Sequence, residues 1–398
     1  MKEFVRMFTL VVASCWSVPA VAIETDHEPR REAPQLKGVA YAVVSTLYVQ
    51  GATSGKDPKG VRLGSKLDLF LTFDGKELVG WKGGGLKAHL EYRTGRHSAG
   101  QAGTLIPSNL AMYAPEGTEN VIFLSSLHLT QQFDKDLLML GKINVIDLTV
   151  GGPFMGFRGT EGFMNTEFVT PVNGVLNPVW IGAVYMMPGT PTWTLMAFDP
   201  EDRGDVGPSG LFRTGFGASV AATVPVALGR LRGRQTLSAA YNSQEAIDLD
   251  SLGQITEPPT NGRPIVGTKR GTYFVAYALD LFVAPTYGVF GKLTVTDGNP
   301  NIQESSFQLG LSGKGLLKGR PDDRFGVGFY QFNVSNSLRR ALRGFGIATN
   351  RAERGVEAFY SFAVDPNLSL TADIQWIAPG LAGTPSAFFP GFRARYRF

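Results

Sequence analysis

The chain predicts an all-β fold: a transmembrane, antiparallel, up-and-down β-barrel of about sixteen strands. Three observations lead there. The last eleven residues, Phe388 to Phe398, alternate so that Phe388, Phe392, Ala394, Tyr396 and Phe398 share one face and Arg393, Arg395 and Arg397 share the other. That suits lipid on one side and water on the other. The same alternation recurs along the whole chain in runs of roughly ten residues, the length a tilted strand needs to cross a bilayer. The gaps between runs are alternately short and long, the rhythm of tight turns at one rim and larger loops at the other.

The amino terminus carries Lys2 and Arg6, an apolar run from Met7 to Ala13, and an Ala-x-Ala end at Ala20-Val21-Ala22. This predicts a secretory signal peptide over residues 1–22, cleaved after Ala22. Cys15 is the one cysteine of the chain, so cleavage there leaves no thiol for a disulfide, a metal or a nucleophile. Residues 23–36 are polar and punctuated by proline, and read as a periplasmic tether. Residues 37–398 form one barrel domain. The composition is 43% hydrophobic, yet no apolar stretch after the leader reaches the roughly 18 residues of a spanning helix. Forty-nine glycines and 11% aromatics suit a many-stranded chain. A net charge of +4 from scattered basic residues argues against nucleic acid as a partner.

The clearest strand is Val61 to Asp74, with Val61, Leu63, Leu67, Leu69, Leu71 and Phe73 opposite Arg62, Lys66, Asp68, Thr72 and Asp74. Leu86, Ala88, Leu90 and Tyr92 then oppose Lys87, His89, Glu91 and Arg93. Further strands follow around residues 273–281, 287–295, 307–311, 325–329 and 368–376. Weaker alternation marks 38–49, 121–133, 137–143, 179–188, 191–199, 211–225, 231–242 and 354–364. The short gaps are 74–83, 134–136, 188–191, 226–230, 284–285, 315–320 and 365–367; the long ones are 50–60, 94–120, 144–178, 200–210, 243–269, 297–302, 334–352 and 379–387. Sixteen strands leave an open lumen, and the even count puts both termini at the short-turn rim. Phe73, Phe133, Tyr287 and Phe398 near short turns, and Tyr92 and Tyr241 near long loops, match aromatic girdles at the two interfaces.

Inward positions in this register are Arg62, Lys66, Asp68, Lys87, His89, Glu91, Arg93, Arg213, Arg234, Lys292, Glu304, Arg324, Glu357, Asp373, Arg393, Arg395 and Arg397. Bases outnumber acids, and arginine forks hydrogen-bond sugar hydroxyls, carboxylates or phosphates at any relevant pH. The longest loop, 144–178, is too apolar to stand in water and is expected to fold inward as a constriction. Phe154, Phe157, Phe163 and Phe168 either offer faces to sugar C–H groups or glue the loop to the wall. Arg158, Glu161, Asn165 and Glu167 are placed to meet hydroxyls. The carboxylates Glu91 and Asp68 sit in a wide lumen rather than the closed, water-controlled site that hydrolysis needs, so no catalytic residue is assigned. Neither a cofactor nor a metal is expected.

Several motifs resemble the carbohydrate-selective porin family (OprB type): Lys37-Gly38-Val39-Ala40-Tyr41, Lys66-Leu67-Asp68-Leu69, Leu78-Val79-Gly80-Trp81-Lys82-Gly83-Gly84, Leu140-Gly141-Lys142-Ile143, Phe163-Met164-Asn165-Thr166-Glu167-Phe168, and the terminal Phe398. The likeness covers about residues 37–398 in family order. It implies a sixteen-stranded bacterial outer-membrane barrel passing mono- and oligosaccharides by diffusion, with arginines and acids at the eyelet. The implied partners are sugars or other small hydrophilic solutes and outer-membrane lipid, with the protein a monomer or homotrimer. The segment Asn144-Val145-Ile146-Asp147 is less acidic than the family pattern, which leaves an anion-selective or general small-solute porin as the alternative.

Overall fold

Alternating side chains close this chain into a single cylinder. The computed structural model describes residues 36–112, 120–148, 154, 159–169, 175, 177–203, 207–252 and 266–398. The leader 1–22, the tether 23–36 apart from Leu36, and the loop residues Phe157 and Arg158 lie outside the described residues. The strands are β1 (Val39–Gln50), β2 (Arg62–Asp74), β3 (Gly84–Gly95), β4 (Asn120–Phe133), β5 (Asp136–Asn144), β6 (Val179–Met187), β7 (Thr192–Phe198) and β8 (Gly217–Leu228). They continue as β9 (Leu231–Ile247), β10 (Thr268–Ala284), β11 (Tyr287–Thr296), β12 (Gln303–Lys314), β13 (Arg324–Val334), β14 (Ala352–Ala363), β15 (Leu368–Ala378) and β16 (Ala387–Arg397). Each strand pairs antiparallel with its sequence neighbours, and β1 pairs with β16 to close the barrel.

Closure runs from Val44 opposite Arg397 to Gln50 opposite Gly391. The Phe398 N–H then donates to the Val43 carbonyl at 3.0 Å. Phe398 is thus tied to the first strand, and the seam between β1 and β16 is closed by paired backbone. Outward apolar side chains are the exposed ones: Leu63, Leu129, Leu309, Val327, Ile374 and Phe392 are each at least 41% exposed. In water such a surface would aggregate; against lipid tails it is the required exterior.

The connections keep the expected rhythm. Short ones span 75–83, 134–135, 188–191, 229–230, 285–286, 315–323 and 364–367, and longer ones span 51–61, 96–119, 145–178, 199–216, 248–267, 335–351 and 379–386. The β11–β12 connection, 297–302, and the β15–β16 connection, 379–386, are exceptions in length, since both are shorter than 75–83 and 315–323. The first short connection holds the Gly-Trp-Lys-Gly motif. Its helix α1 (Gly75–Val79) is capped by Asp74, whose carboxylate accepts the Lys76 and Glu77 N–H groups at 2.9 and 3.2 Å. Gly80 ends the helix at φ 73°, the left-handed cap that glycine adopts without strain. Trp81 then donates from Nε1 to Gln131 Oε1 at 2.6 Å. At the same rim, Asp323 accepts from Arg320, Tyr360 and the Ala363 N–H, and the Arg320 hydrogen bonds hold its carboxyl down at about 2.

One strand starts later than the alternation suggests. Residues 211–216 are not part of β8, which begins at Gly217. Asp199 accepts the Phe212 N–H at 2.7 Å and pairs with Arg203 at 2.8 Å, while Arg203 also donates to the carbonyls of Gly207 and Ser209. This buried knot keeps the residues just before Gly217 out of the ladder, with Phe212 at φ 57°. Arg213 is therefore exposed in a loop and not on the barrel wall.

Candidate functional site

The inner wall of β2 and β3 carries a closed ion cluster. Register places Lys66 opposite Arg93, Asp68 opposite Glu91 and Phe70 opposite His89. The Lys66 Nζ lies 2.9 Å from Asp68 Oδ1 and 2.9 Å from Glu91 Oε2. Arg93 donates to Glu91 Oε2 from Nε at 3.0 Å and Nη2 at 2.7 Å, with its guanidinium over the Phe123 ring. His89 stacks on Phe70 with centroids 4.1 Å apart and bridges Asp68 and Asp147 at 2.8 Å each. Asp147 belongs to α2 (Val145–Leu148), at the start of the long connection.

Lys66, Asp68, His89 and Glu91 are all buried. They were expected to face an open lumen, but the long connection and their own pairing take them out of water. Asp68, His89 and Glu91 offer ligand atoms within 4.8 Å of one another. The Lys66 ammonium already holds the cation position between the two carboxylates, so this trio reads as an ion-pair network.

A second cluster lies on β13 to β16. Arg324 and Arg395 reach the same side chain, Glu161, at 3.1 and 2.9 Å. Arg393 is fully buried and donates to the carbonyls of Gly159 and Gly162 at 2.9 and 3.0 Å and to Thr371 at 3.2 Å. It holds the connection to the wall. Asn165 donates to Gln375 at 3.1 Å, and Gln308 donates to Glu167 at 2.6 Å.

Aromatic packing completes the attachment. Phe154, Phe163 and Phe168 are at most 1% exposed and join Phe290, Tyr330, Phe332 and Phe359 in one cluster. Phe163 stacks on Phe168 with centroids 4.5 Å apart and meets Phe359 edge-on at 5.0 Å. β13 makes room with two glycines. A Cβ on Gly326 would lie 2.4 Å from Phe359 and 2.9 Å from Phe163, and one on Gly328 would lie 2.8 Å from Phe168. The described phenylalanines are therefore glue, their faces already covered.

Sequence reasoning missed the β3–β4 connection. Ile106 joins the aromatic cluster, and the Leu105 and Ile106 N–H groups donate to Glu353 at 2.6 and 3.1 Å. Leu110 and Thr166 N–H groups tie this connection to the long one through the Met164 and Pro107 carbonyls, at 3.0 and 3.1 Å. Its composition, Leu105-Ile106-Pro107 between small polar residues, is the one signal that pointed to burial.

The remaining candidates are spread out. Arg62 is half-buried beside a cavity of about 420 Å³ that Arg96 and Asn120 also line. Lys87 is exposed opposite His128. Arg234 pairs with Asp280 at 2.9 Å. Lys292 and Arg397 are half-buried. Glu304 is exposed beside a register shift in β12 and accepts from Asn336 of α3 (Asn336–Gly344). Asp373 is buried and accepts from Gln50 at 3.2 Å, and Glu357 is buried and accepts the Met164 and Asn165 N–H groups.

Residues 59–382 match the family model described as carbohydrate-selective porin, OprB family. The chain is also similar to solved porin structures. The high-pH structure of Pseudomonas putida OprB matches with a TM-score of 0.74 at 18% identity, covering 91% of this chain and 94% of that one. The Acinetobacter baumannii outer-membrane channel DcaP matches at 0.54 and 11% identity, covering 90% and 97%. Salmonella typhi OmpF, in complex with daunomycin, matches at 0.52 and 9% identity, covering 91% and 98%. No curated protein matches.

Proposed function

Since the chain belongs to the OprB family of carbohydrate-selective porins and is an outer-membrane porin of a bacterium, we propose that it passes mono- and oligosaccharides by passive or facilitated diffusion through an arginine-lined bore. The 145–178 connection narrows that bore. One observation carries this reading: the connection touches the wall on widely separated sides. Asp147 meets His89 of β3, Phe154 packs edge-on against Phe282 of β10, and Glu161 meets Arg324 of β13 and Arg395 of β16. Contacts on β3, β10, β13 and β16 from one connection support a segment that lies across the bore.

Solute contact is assigned to the charged groups left partly open beside it. Arg324, Arg395 and Glu161 have side chains 16%, 20% and 31% exposed. A guanidinium held along one edge by a carboxylate keeps other N–H donors for a passing hydroxyl. The charges packed into the β2–β3 cluster shape the wall instead. A cleaved leader over residues 1–22, a tether over 23–36, and a monomeric or homotrimeric barrel belong to the same proposal.

Anion selectivity is the second reading, favoured by Arg395 and Arg397 lying on one strand face near Arg324. Liposome swelling separates the two. Faster swelling in glucose and maltose than in neutral non-sugar solutes of equal size, with a small reversal potential in a salt gradient, supports sugar passage. Equal swelling rates with a strongly anion-selective reversal potential would overturn it.

A further inference from the structure

We propose that Glu353 and Glu357 of β14 are positioning residues that moor both inward connections and so set the aperture of the bore. The inference rests on the reading that these connections narrow the channel. Glu353 and Glu357 are four apart on a strand, so they share a face about 13 Å apart at roughly 3.3 Å per residue. Both are fully buried. Each takes consecutive backbone N–H groups of one connection, one on each oxygen.

Glu357 accepts the Met164 N–H on Oε1 and the Asn165 N–H on Oε2, the second at 3.0 Å. Glu353 accepts the Leu105 N–H on Oε2 at 2.6 Å and the Ile106 N–H on Oε1 at 3.1 Å. Glu353 Oε2 also takes the Gly380 N–H at 3.1 Å, and Oε1 takes the Tyr330 hydroxyl at 3.2 Å. One strand therefore holds the β3–β4 connection with one carboxylate and the β5–β6 connection with the other.

The residue type follows from the donors. Paired N–H groups need two acceptor atoms at the tip of one side chain, which only a carboxylate provides. Glutamine has the same shape but one oxygen; whichever way its amide turns, an NH₂ meets a buried N–H. The connections are also laced together by the Leu110-to-Met164 and Thr166-to-Pro107 hydrogen bonds, so loosening one mooring loosens both.

Glu357→Gln and Glu353→Gln, each in the full-length barrel, are recorded as single channels in planar bilayers. A variant with residues 154–159 deleted serves as reference. Heat-modifiable migration checks that each barrel is closed, and the two substitutions are independent, so a folding failure in one leaves the other to decide. We expect excursions above the wild-type conductance to become about tenfold more frequent in either Gln variant, the factor equivalent to about 1.4 kcal/mol. Wild-type conductance and noise in a closed Gln variant, with a larger pore in the deletion variant, would overturn the moorings and leave the constriction standing. An unchanged deletion variant would instead remove the constriction reading itself.

Discussion

Replacing Lys66 by Met separates buried charge from charge that meets solute. The side chains of Lys66, Asp68 and Glu91 are 4%, 4% and 0% exposed, and the ammonium lies 2.9 Å from each carboxylate. Methionine keeps most of the stem and removes the charge, leaving two buried carboxylates with Arg93 and His89 as their remaining partners. Breaking a buried pair from one side costs about 3–5 kcal/mol; the surviving cations place this case near the lower end, about 3 kcal/mol. Urea unfolding of the barrel in lipid vesicles, followed by tryptophan fluorescence, reads the difference. The pore itself should change little, because the ammonium is sealed from the bore, so the reversal potential stays at the wild-type value. Adding Asp68→Asn should recover part of the loss by removing one unpaired acid. A loss under about 1 kcal/mol, the size of an exposed pair, would refute the buried-cluster argument. So would a reversal potential shifted as far as in an Arg395 variant.

Glu161→Gln removes a negative charge from between Arg324 and Arg395, so the reversal potential in a potassium chloride gradient should move towards anions; a shift towards cations contradicts the assignment. Phe163→Ala leaves a void among Phe168, Phe290 and Phe359 and should destabilise by about 3–5 kcal/mol, measured by the same urea titration. The Asp323 carboxyl is held at about 2 in the folded barrel. Its contribution is therefore complete above the ordinary aspartate value near 4 and lost as pH falls towards 2. Melting temperature against pH should lose that acid limb in Asp323→Asn. Arg213→Ala, in an exposed loop, should leave conductance and selectivity unchanged, and a changed conductance would return Arg213 to the wall.

The barrel was legible because alternation is local. A strand facing lipid and water must change polarity at every residue, and that period survives in the sequence wherever the ladder is regular. It failed at 211–216, where Leu211 and Arg213 alternate without being paired. There a buried carboxylate, Asp199, binds Arg203 and the Phe212 N–H and bends the chain into a loop.

The sequence by itself determined the number of strands, their antiparallel order, the lipid-facing set and the face bearing Arg393, Arg395 and Arg397, since each depends on neighbours one or two residues away. The tertiary structure alone decided which of the inward charges are sealed. Lys66, Asp68 and Glu91 read the same in sequence as Arg324 and Arg395, but the first three are buried under mutual pairing and the others stay partly open around Glu161. The grip of Glu353 and Glu357 on two connections is equally invisible in one dimension. It joins residues 192 or more positions apart, and such contacts exist only once the cylinder has closed and its connections have come to rest against it.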